Sequence, residues 1–496
     1  MIKFIDNFLN SITMYRLMVY GLMVQTVLAF IFATFGLIAF SPVEMIFSLV
    51  ILLAFCEGSN ILFAKVFHAV RNTESAIITA LLLFFVLDPS FATLQTAWVL
   101  PAGAVIAMAS KYVIAIKHRH LINPVAIAAV VLGLFGTGAA IWWVATPLLF
   151  PFVVVFGLLV TRKIRRFHVV GPFLLVAFLV ALVRGQHPVT FLISWPLIFF
   201  GTMMLTEPRT APSHKRDQII YGVLVGILFA IPFSMGSFAL TPELSLVIAN
   251  ILAYFVSSKQ VLKLTYKSTT QCTPQVCDFV FTPDQKVSFI PGQYLEWTLP
   301  LAHADSRGNR RYFTVASSPT DAEVHLGVRL DNEHGSAFKK ALSSMKDKEV
   351  LFASHATGDF ILPNDVNQKL VFIAGGIGVT PFWSMIQWLA ATNQKRDIVL
   401  FYAANTENDF AYKAEMEAIA TAVGLKIVYI VAKPSATWTG KTGYLSKELL
   451  DETVPDYAER MFYLSGPNAM VANYHRLLLT LRLKPSKIKV DYFPGF

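Results

Sequence analysis

Lys369-Leu370-Val371-Phe372-Ile373-Ala374 runs without a break into Gly375-Gly376-Ile377-Gly378-Val379-Thr380-Pro381-Phe382. The apolar run is too short for a helix and has no polar alternation, so it reads as a strand buried on both faces. Glycines after such a strand let the backbone come close to a phosphate. A helix opened by Thr380-Pro381 would point its N-terminal dipole at the same anion. Gly375, Gly376, Gly378, Thr380 and Pro381 are therefore candidate nucleotide-binding residues. Further apolar strands are expected at Ile398-Val399-Leu400-Phe401-Tyr402, Leu425-Lys426-Ile427-Val428-Tyr429-Ile430 and Phe462-Tyr463-Leu464-Ser465. Strands recurring between helical stretches predict an α/β nucleotide-binding domain over 366–496.

Upstream of this unit, from about Lys263, the pattern is of short alternating strands. It contains Gly292-Gln293-Tyr294-Leu295 and Arg311-Tyr312-Phe313-Thr314-Val315-Ala316-Ser317-Ser318-Pro319. Alternate residues of a strand share a face, which puts Arg311 and Phe313 together. Then His334-Gly335-Ser336-Ala337-Phe338 precedes a helix, where backbone donors and the dipole favour phosphate. An antiparallel β-barrel over 259–365 is expected.

Arg311 to Pro319 resembles the Arg-x-Tyr/Phe-Ser/Thr motif of ferredoxin-NADP reductase relatives. Ser465-Gly466-Pro467-Asn468-Ala469-Met470 resembles their Cys-Gly-Pro-x-x-Met segment, with Ser465 in place of the usual Cys. The resemblance implies FAD and either NADH or NADPH as cofactors. It puts Arg311 on the FAD pyrophosphate as a charge-assisted fork, Phe313 packed on the cofactor, and Thr314 near the flavin N5. Ser317, Gly335 and Ser336 complete the FAD site, and Gly466 and Pro467 lie under the nicotinamide. Thr314 and Ser465 are the expected catalytic residues, together with Phe496, a terminal aromatic that covers the flavin ring until nicotinamide displaces it. Asn405-Thr406-Glu407-Asn408 has no arginine cluster for a 2′-phosphate, and Glu407 leans the expectation towards NADH.

The rest of the chain differs in composition. Across all 496 residues 55% are hydrophobic and 15% charged, against roughly 25% charged in soluble proteins. The charge deficit falls before about Ser257, which sets the boundary of a helical membrane domain at 1–258. Ten spans are expected near 17–40, 44–64, 75–92, 97–116, 122–141, 145–160, 168–184, 189–206, 218–237 and 242–257, since about 20 apolar residues cross the bilayer core. The fold class is thus multidomain: a polytopic bundle, a β-barrel and an α/β domain. With a cytoplasmic N-terminus, the inner loops carry Lys65, Arg71, Lys111, Lys117, Arg119, Arg162, Lys163, Arg165, Arg166, Arg209, Lys215 and Arg216, and the outer loops only Arg184. That bias predicts a multi-pass protein of the inner (cytoplasmic) membrane, embedded in lipid, with its nucleotide-binding domains in the cytoplasm. It also accounts for the net charge of +10 without nucleic acid. No signal-peptide cleavage pattern is present. Cys56, Cys272 and Cys277 lack metal-site spacing, and a reducing compartment would keep them as thiols.

His68, His118, His120, His168, His187 and His214 fall in loops or at helix ends, which argues against a haem-bearing bundle. Asn72-Thr73-Glu74-Ser75-Ala76-Ile77-Ile78-Thr79, Asn123-Pro124 and Thr206-Glu207-Pro208-Arg209-Thr210-Ala211-Pro212 all lie on the expected cytoplasmic side. Each alone reads as helix capping. Together with Trp142-Trp143 and Gly222/Gly226 they resemble the D subunit of the Rnf complex and the B subunit of sodium-pumping NADH:quinone reductase, over roughly 15–256. That family implies a flavin-carrying conduit of two inverted five-helix halves. Its covalent-FMN Ser-Gly-Ala-Thr stretch is missing here, leaving non-covalent FMN or riboflavin, or a quinone. Glu57 within the second span is either an ion-gating group or a hydrogen-bonded carboxyl.

The combined expectation is a membrane-bound flavin oxidoreductase. Hydride would pass from NAD(P)H to FAD, and electrons onward to a flavin or quinone in the bundle and an outer acceptor protein. The alternatives are an NAD(P)H:quinone reductase without transmembrane transfer, or a redox-sensing transporter.

Overall fold

The computed structural model describes residues 5, 8–9, 12–67, 69, 71–92, 96–116, 119–212, 215–231, 233–235, 238–256, 261–301, 305, 309–330, 335–354 and 356–493. The chain divides into two compact units, Met1–Gln260 and Val261–Phe496.

The first unit is helical. Its described helices are Met14–Thr34, Pro42–Val66, Thr73–Val86, Val99–Val113 and Pro124–Leu134, then Phe150–Ile164, Phe167–Val183, a broken segment from Pro188 to Met204, Lys215–Ala230 and Pro242–Val256. Their starts follow local chemistry. Ser41 and Glu44 form a reciprocal capping box ahead of Pro42, and Asn72 and Asn123 accept backbone N–H bonds at the next two marked starts.

Two sets of five helices share one connection pattern. A short antiparallel hairpin joins the fourth to the fifth helix in each set, at Ala115–Ile116 with Arg119–His120 and at Ser234–Met235 with Phe238–Ala239. In each set the second helix packs on the fourth, and the fourth on the fifth. The second-set contact is close because it is built on glycine. A Cβ on Gly222 would collide with the Val169 carbonyl oxygen, and one on Gly226 would lie 2.9 Å from that of Phe173.

Several expected spans differ in the structure. Met14–Thr34 and Pro42–Val66, with 21 and 25 residues, are long and apolar enough to cross a membrane by length and composition. Other apolar helices, including Thr73–Val86 and Pro124–Leu134, are shorter. The span expected over 122–141 ends its helix at Leu134, because Gly136 turns into the left-handed region (φ +71°). The chain beyond it runs extended, with Ile141 and Trp142 N–H bonded to the Val86 carbonyl at 3.0 Å. The span expected over 189–206 breaks at Trp195-Pro196, because proline removes the N–H and crowds the preceding turn. It resumes at Leu197 and ends in a π-turn over Phe200–Met204.

The second unit holds two sheets. The first is antiparallel, in the order Arg310–Thr314, Tyr294–Thr298, Val350–Ala353, Leu262–Thr273, Val276–Pro283, Val324–Arg329. Ala316 N–H donates to His325 O at 2.9 Å and draws the two edges together. Trp297, Phe279, Phe281, Leu295 and Phe338 fill its interior. The second is parallel, in the order Lys441–Thr442, Leu425–Val431, Ile398–Ala404, Leu370–Gly375, Met461–Pro467, Ile488–Phe493. Strand succession reverses between Leu370–Gly375 and Met461–Pro467. Open α/β sheets bind their ligands at the strand C-termini beside such a reversal.

Candidate functional site

At that reversal two glycine turns meet. Leu370–Gly375 passes into a 3-10 turn, Gly376–Val379, and then the helix Thr380–Ala391 with Pro381 in its first turn. Gly376 has φ +52°, a conformation most side chains disfavour. A Cβ on Gly378 would lie 2.5 Å from Ser465 O and 2.6 Å from the Gly466 Cα. Only hydrogen at both positions permits this approach. Thr380 is buried and its hydroxyl donates to Ile377 O at 3.2 Å, tying the turn to the helix. The structure thus brings Gly375, Gly376, Gly378, Thr380 and Pro381 beside Ser465, Gly466 and Pro467. Ser465 is fully buried, and its Oγ has no partner within the chain.

On the antiparallel sheet, Arg311 sits on the edge strand Arg310–Thr314. It is 7% exposed, and its guanidinium lies 5.3 Å from the centre of the Phe338 ring. Its Nη1 donates to Arg310 O at 2.6 Å, and Nη2 is 3.6 Å from Asp305 Oδ1. Asp305 Oδ2 in turn accepts the Ala337 N–H at 2.9 Å. Ala337 starts the short helix Ala337–Ser343, whose cap is Ser336. The Arg311 guanidinium and the Ala337 N–H therefore meet at one carboxylate, next in the chain to Gly335 and Ser336. Phe313 packs its ring 5.9 Å from Phe338. Thr314 is buried with its Oγ1 unpartnered within the chain. Ser317 behaves differently: its hydroxyl accepts His325 N–H at 3.2 Å and so holds the sheet. Phe496 and His334 lie outside the described residues.

The two sheets of this unit are tied together. Ser384 Oγ donates to Ser317 O at 2.6 Å and Gln387 Nε2 to Ala316 O at 2.8 Å. Both acceptors lie just past Thr314. Sequence reading did not single out Asp278, whose Oδ2 meets His325 Nδ1 at 2.7 Å and whose Oδ1 accepts Tyr412 Oη–H at 3.1 Å. A carboxylate inside the apolar run Val276–Pro283 was the available signal. Burial pulls the His325 imidazole down, but the hydrogen bond and charge of Asp278 outweigh it, so the group lies above its ordinary value. Glu407 accepts the Ser435 N–H at 2.7 Å. Cys272 and Cys277 are free thiols, with burial pushing Cys272 up to about 12.

In the helical unit two of the marked motifs come together. Glu207 meets His120 Nε2 at 2.8 Å, Asn123 Nδ2 at 3.0 Å and Thr210 Oγ1 at 3.3 Å. Lys111 Nζ donates to Thr79 Oγ1 at 2.7 Å and to Ser75 at 3.0 Å. Asn72 caps its helix, as the plainer reading expected. Trp142 Nε1 donates to Glu243 Oε2 at 3.0 Å, and Trp143 Nε1 to Phe84 O. Glu57 is ion-paired with Arg71 and accepts from Thr73 at 3.2 Å.

Residues 372–476 match the oxidoreductase NAD-binding domain family. The glycine betaine monooxygenase reductase subunit of Pseudomonas aeruginosa is 28% identical over 214 residues, covering 42% of this chain and 57% of that protein. The flavohemoprotein of Bacillus cereus is 27% identical over 216 residues, covering 42% and 53%. The chain thus spans little more than half the length of these relatives. Among solved structures it is similar to the Amycolatopsis cytochrome P450 reductase GcoB (21% identity, TM-score 0.42, covering 48% of this chain and 71% of that one). It is also similar to the FAD/NAD-binding domain of a Vibrio cholerae nitric oxide dioxygenase (20%, 0.42, 47% and 98%). The C-terminal unit is a ferredoxin-NADP reductase-type FAD/NAD-binding module. Modules of this kind are electron-transfer oxidoreductases.

Proposed function

We propose that this protein is a membrane-bound, NAD(P)H-dependent flavin oxidoreductase whose helical unit passes electrons onward. The observation that carries the reading is the pair of buried, unpartnered hydroxyls, Thr314 Oγ1 and Ser465 Oγ. They lie at the end of the Arg311 strand and at the meeting of the two glycine turns, the two positions at which the resemblance to flavin reductases expects side chains beside the flavin and nicotinamide. An orphaned buried hydroxyl costs about 1–3 kcal/mol, a cost that a cofactor atom at hydrogen-bond distance would offset.

Arg311 and the N–H groups of Gly335 and Ser336 would hold the FAD pyrophosphate. Phe313 would back the isoalloxazine, and Thr314 would donate near N5. Gly376 and Gly378 would admit the nicotinamide-nucleotide phosphates, with Thr380 and Pro381 fixing the helix start. Ser465, Gly466 and Pro467 would floor the nicotinamide, and Phe496 would cover the flavin face until nicotinamide arrives. Bound FAD supplies a hydride acceptor that can release its electrons one at a time.

Several features support a membrane location. Two helices are long and apolar enough to span it. Large side chains such as Val43 (61%), Leu175 (60%) and Phe255 (78%) face outward from the helical unit, and apolar surface of that kind suits lipid. Two five-helix sets are compatible with the inverted halves of the Rnf and sodium-pump subunits, since an odd number of crossings reverses the second set. On this reading the chain is a multi-pass inner-membrane protein with residues 259–365 and 366–496 in the cytoplasm. Its bundle takes electrons on a non-covalent FMN, riboflavin or quinone and delivers them to an outer acceptor protein. NADH is favoured by the acidic Glu407.

Anaerobic addition of NADH or NADPH to the purified protein should bleach its flavin absorbance. Absence of bleaching with either nucleotide would refute the reductase reading. In oriented vesicles an impermeant outer acceptor should be reduced. If only added menadione is reduced, electrons do not cross.

A further inference from the structure

Asp278 stands between the two sheets of the C-terminal unit. It is 7% exposed, and both oxygens are engaged, one by His325 and one by Tyr412. His325 is on the antiparallel sheet with it. Tyr412 is on the nucleotide side, in a left-handed backbone conformation (φ 57°), with its ring stacked 5.6 Å from Trp383. Non-glycine residues adopt that conformation at some cost, so packing must hold it.

The residue opposite Asp278 in the strand register is Gly327. A Cβ there would lie 2.5 Å from Tyr412 Oη and 2.8 Å from Thr380 Cγ2. The sheet contributes no side chain at Gly327, so the side chains of Tyr412 and Thr380 come up against its backbone. Thr380 starts the helix whose Ser384 and Gln387 bond to Ser317 and Ala316. The nucleotide side is thus tied to the antiparallel sheet through this helix and through Tyr412. The Tyr412 contact ends on a carboxylate.

We propose that Asp278 is a positioning residue for hydride transfer. Acting through Tyr412, it sets how closely the Gly376–Thr380 turn approaches the sheet that carries Thr314, and so sets the gap between nicotinamide and flavin. The inference rests on the reading of residues 261–496 as a flavin reductase. Displacements of about 1 Å between reacting groups cost up to about a hundredfold in rate, so a single hydrogen bond at this contact has leverage on the chemical step.

The test is anaerobic stopped-flow reduction of the full-length protein by NADH. Asp278→Ala and Tyr412→Phe should each lower the limiting rate of flavin reduction by roughly tenfold. FAD content and the apparent Kd for NADH should hold. The double variant should be no slower than Asp278→Ala alone, because both act on one contact. Asp278→Asn keeps an oxygen for Tyr412 and should recover most of the rate. An unchanged limiting rate in FAD-loaded Tyr412→Phe, or multiplying losses in the double variant, would overturn the proposal. Should Asp278→Ala fail to fold, Tyr412→Phe and Asp278→Asn decide the matter. A wild-type protein that neither nucleotide reduces removes the reductase reading itself. A reducible wild type with equally fast variants removes only this inference.

Discussion

Gly378, in the turn that follows Leu370–Gly375, faces the Ser465 carbonyl so closely that a Cβ on it would lie 2.5 Å from that oxygen. A methyl group there must push the Ser465 turn aside. Gly378→Ala is expected to keep its FAD but to lose at least about tenfold in the rate of flavin reduction, since near-attack geometry is what the turn provides. Flavin absorbance and stopped-flow traces of the same sample check both halves of the statement.

Arg311 carries the charge expected to face the FAD pyrophosphate. Hydrogen bonds to charged groups contribute about 1.5–3 kcal/mol, or roughly ten- to a hundredfold in affinity. Arg311→Ala should purify depleted of flavin, and its Kd for added FAD should rise by that factor in a fluorescence titration. Full occupancy at wild-type affinity would contradict the assignment.

Asp456 sits at the foot of the parallel sheet. It accepts from Arg460 Nε and Lys369 Nζ, both at 2.8 Å, and Arg460 also grips Asp397. The Arg460 hydrogen bond holds the Asp456 carboxyl down at about 2. A carboxyl depressed in the folded state stabilises it fully above the unfolded value of about 3.9. That contribution drains away as pH falls from there through about 2. Asp456→Asn should unfold at a lower temperature than wild type at pH 7, and the gap should narrow as pH falls through 4 to 2. A gap independent of pH would mean the charge contributes nothing.

In the helical unit Gly222 meets the Val169 carbonyl with no room for a side chain. Overpacking of this sort costs about 1–3 kcal/mol. Gly222→Ala should lower the thermal midpoint of the detergent-solubilised protein while leaving the flavin reduction rate of the surviving fraction unchanged. An unaltered midpoint would show that the two helices separate freely.

Where sequence could be read, backbone chemistry made it readable. Gly375 to Pro381 admits few conformations, so strand, turn and helix follow from the residues themselves. The helical character before Ser257 follows equally from apolar runs. Helix ends were less visible. Hydropathy does not register Gly136 turning left-handed, and it counts the extended stretch up to Ile141 as span. Pro196 was a local signal for the break in the eighth segment, outweighed by the apolar residues around it. In the site, Arg311 and Ser465 stood in recognisable company. Asp278 did not, because its two partners lie 47 and 134 residues away and only folding brings them together. The ion pair of Glu57 with Arg71 was hidden for the same reason: the span was read without the loop that folds back on it.

Asp305 has a consequence for how this protein could be assembled. Its carboxylate already bridges the Arg311 guanidinium and the first N–H of the Ala337 helix. The chain supplies its own anion at the point where an external phosphate would otherwise be needed to quiet a cation. The guanidinium thus has a counter-charge within the chain before any flavin binds. Stripped protein should accordingly accept deazaflavin or other FAD analogues by simple exchange, without being unfolded first.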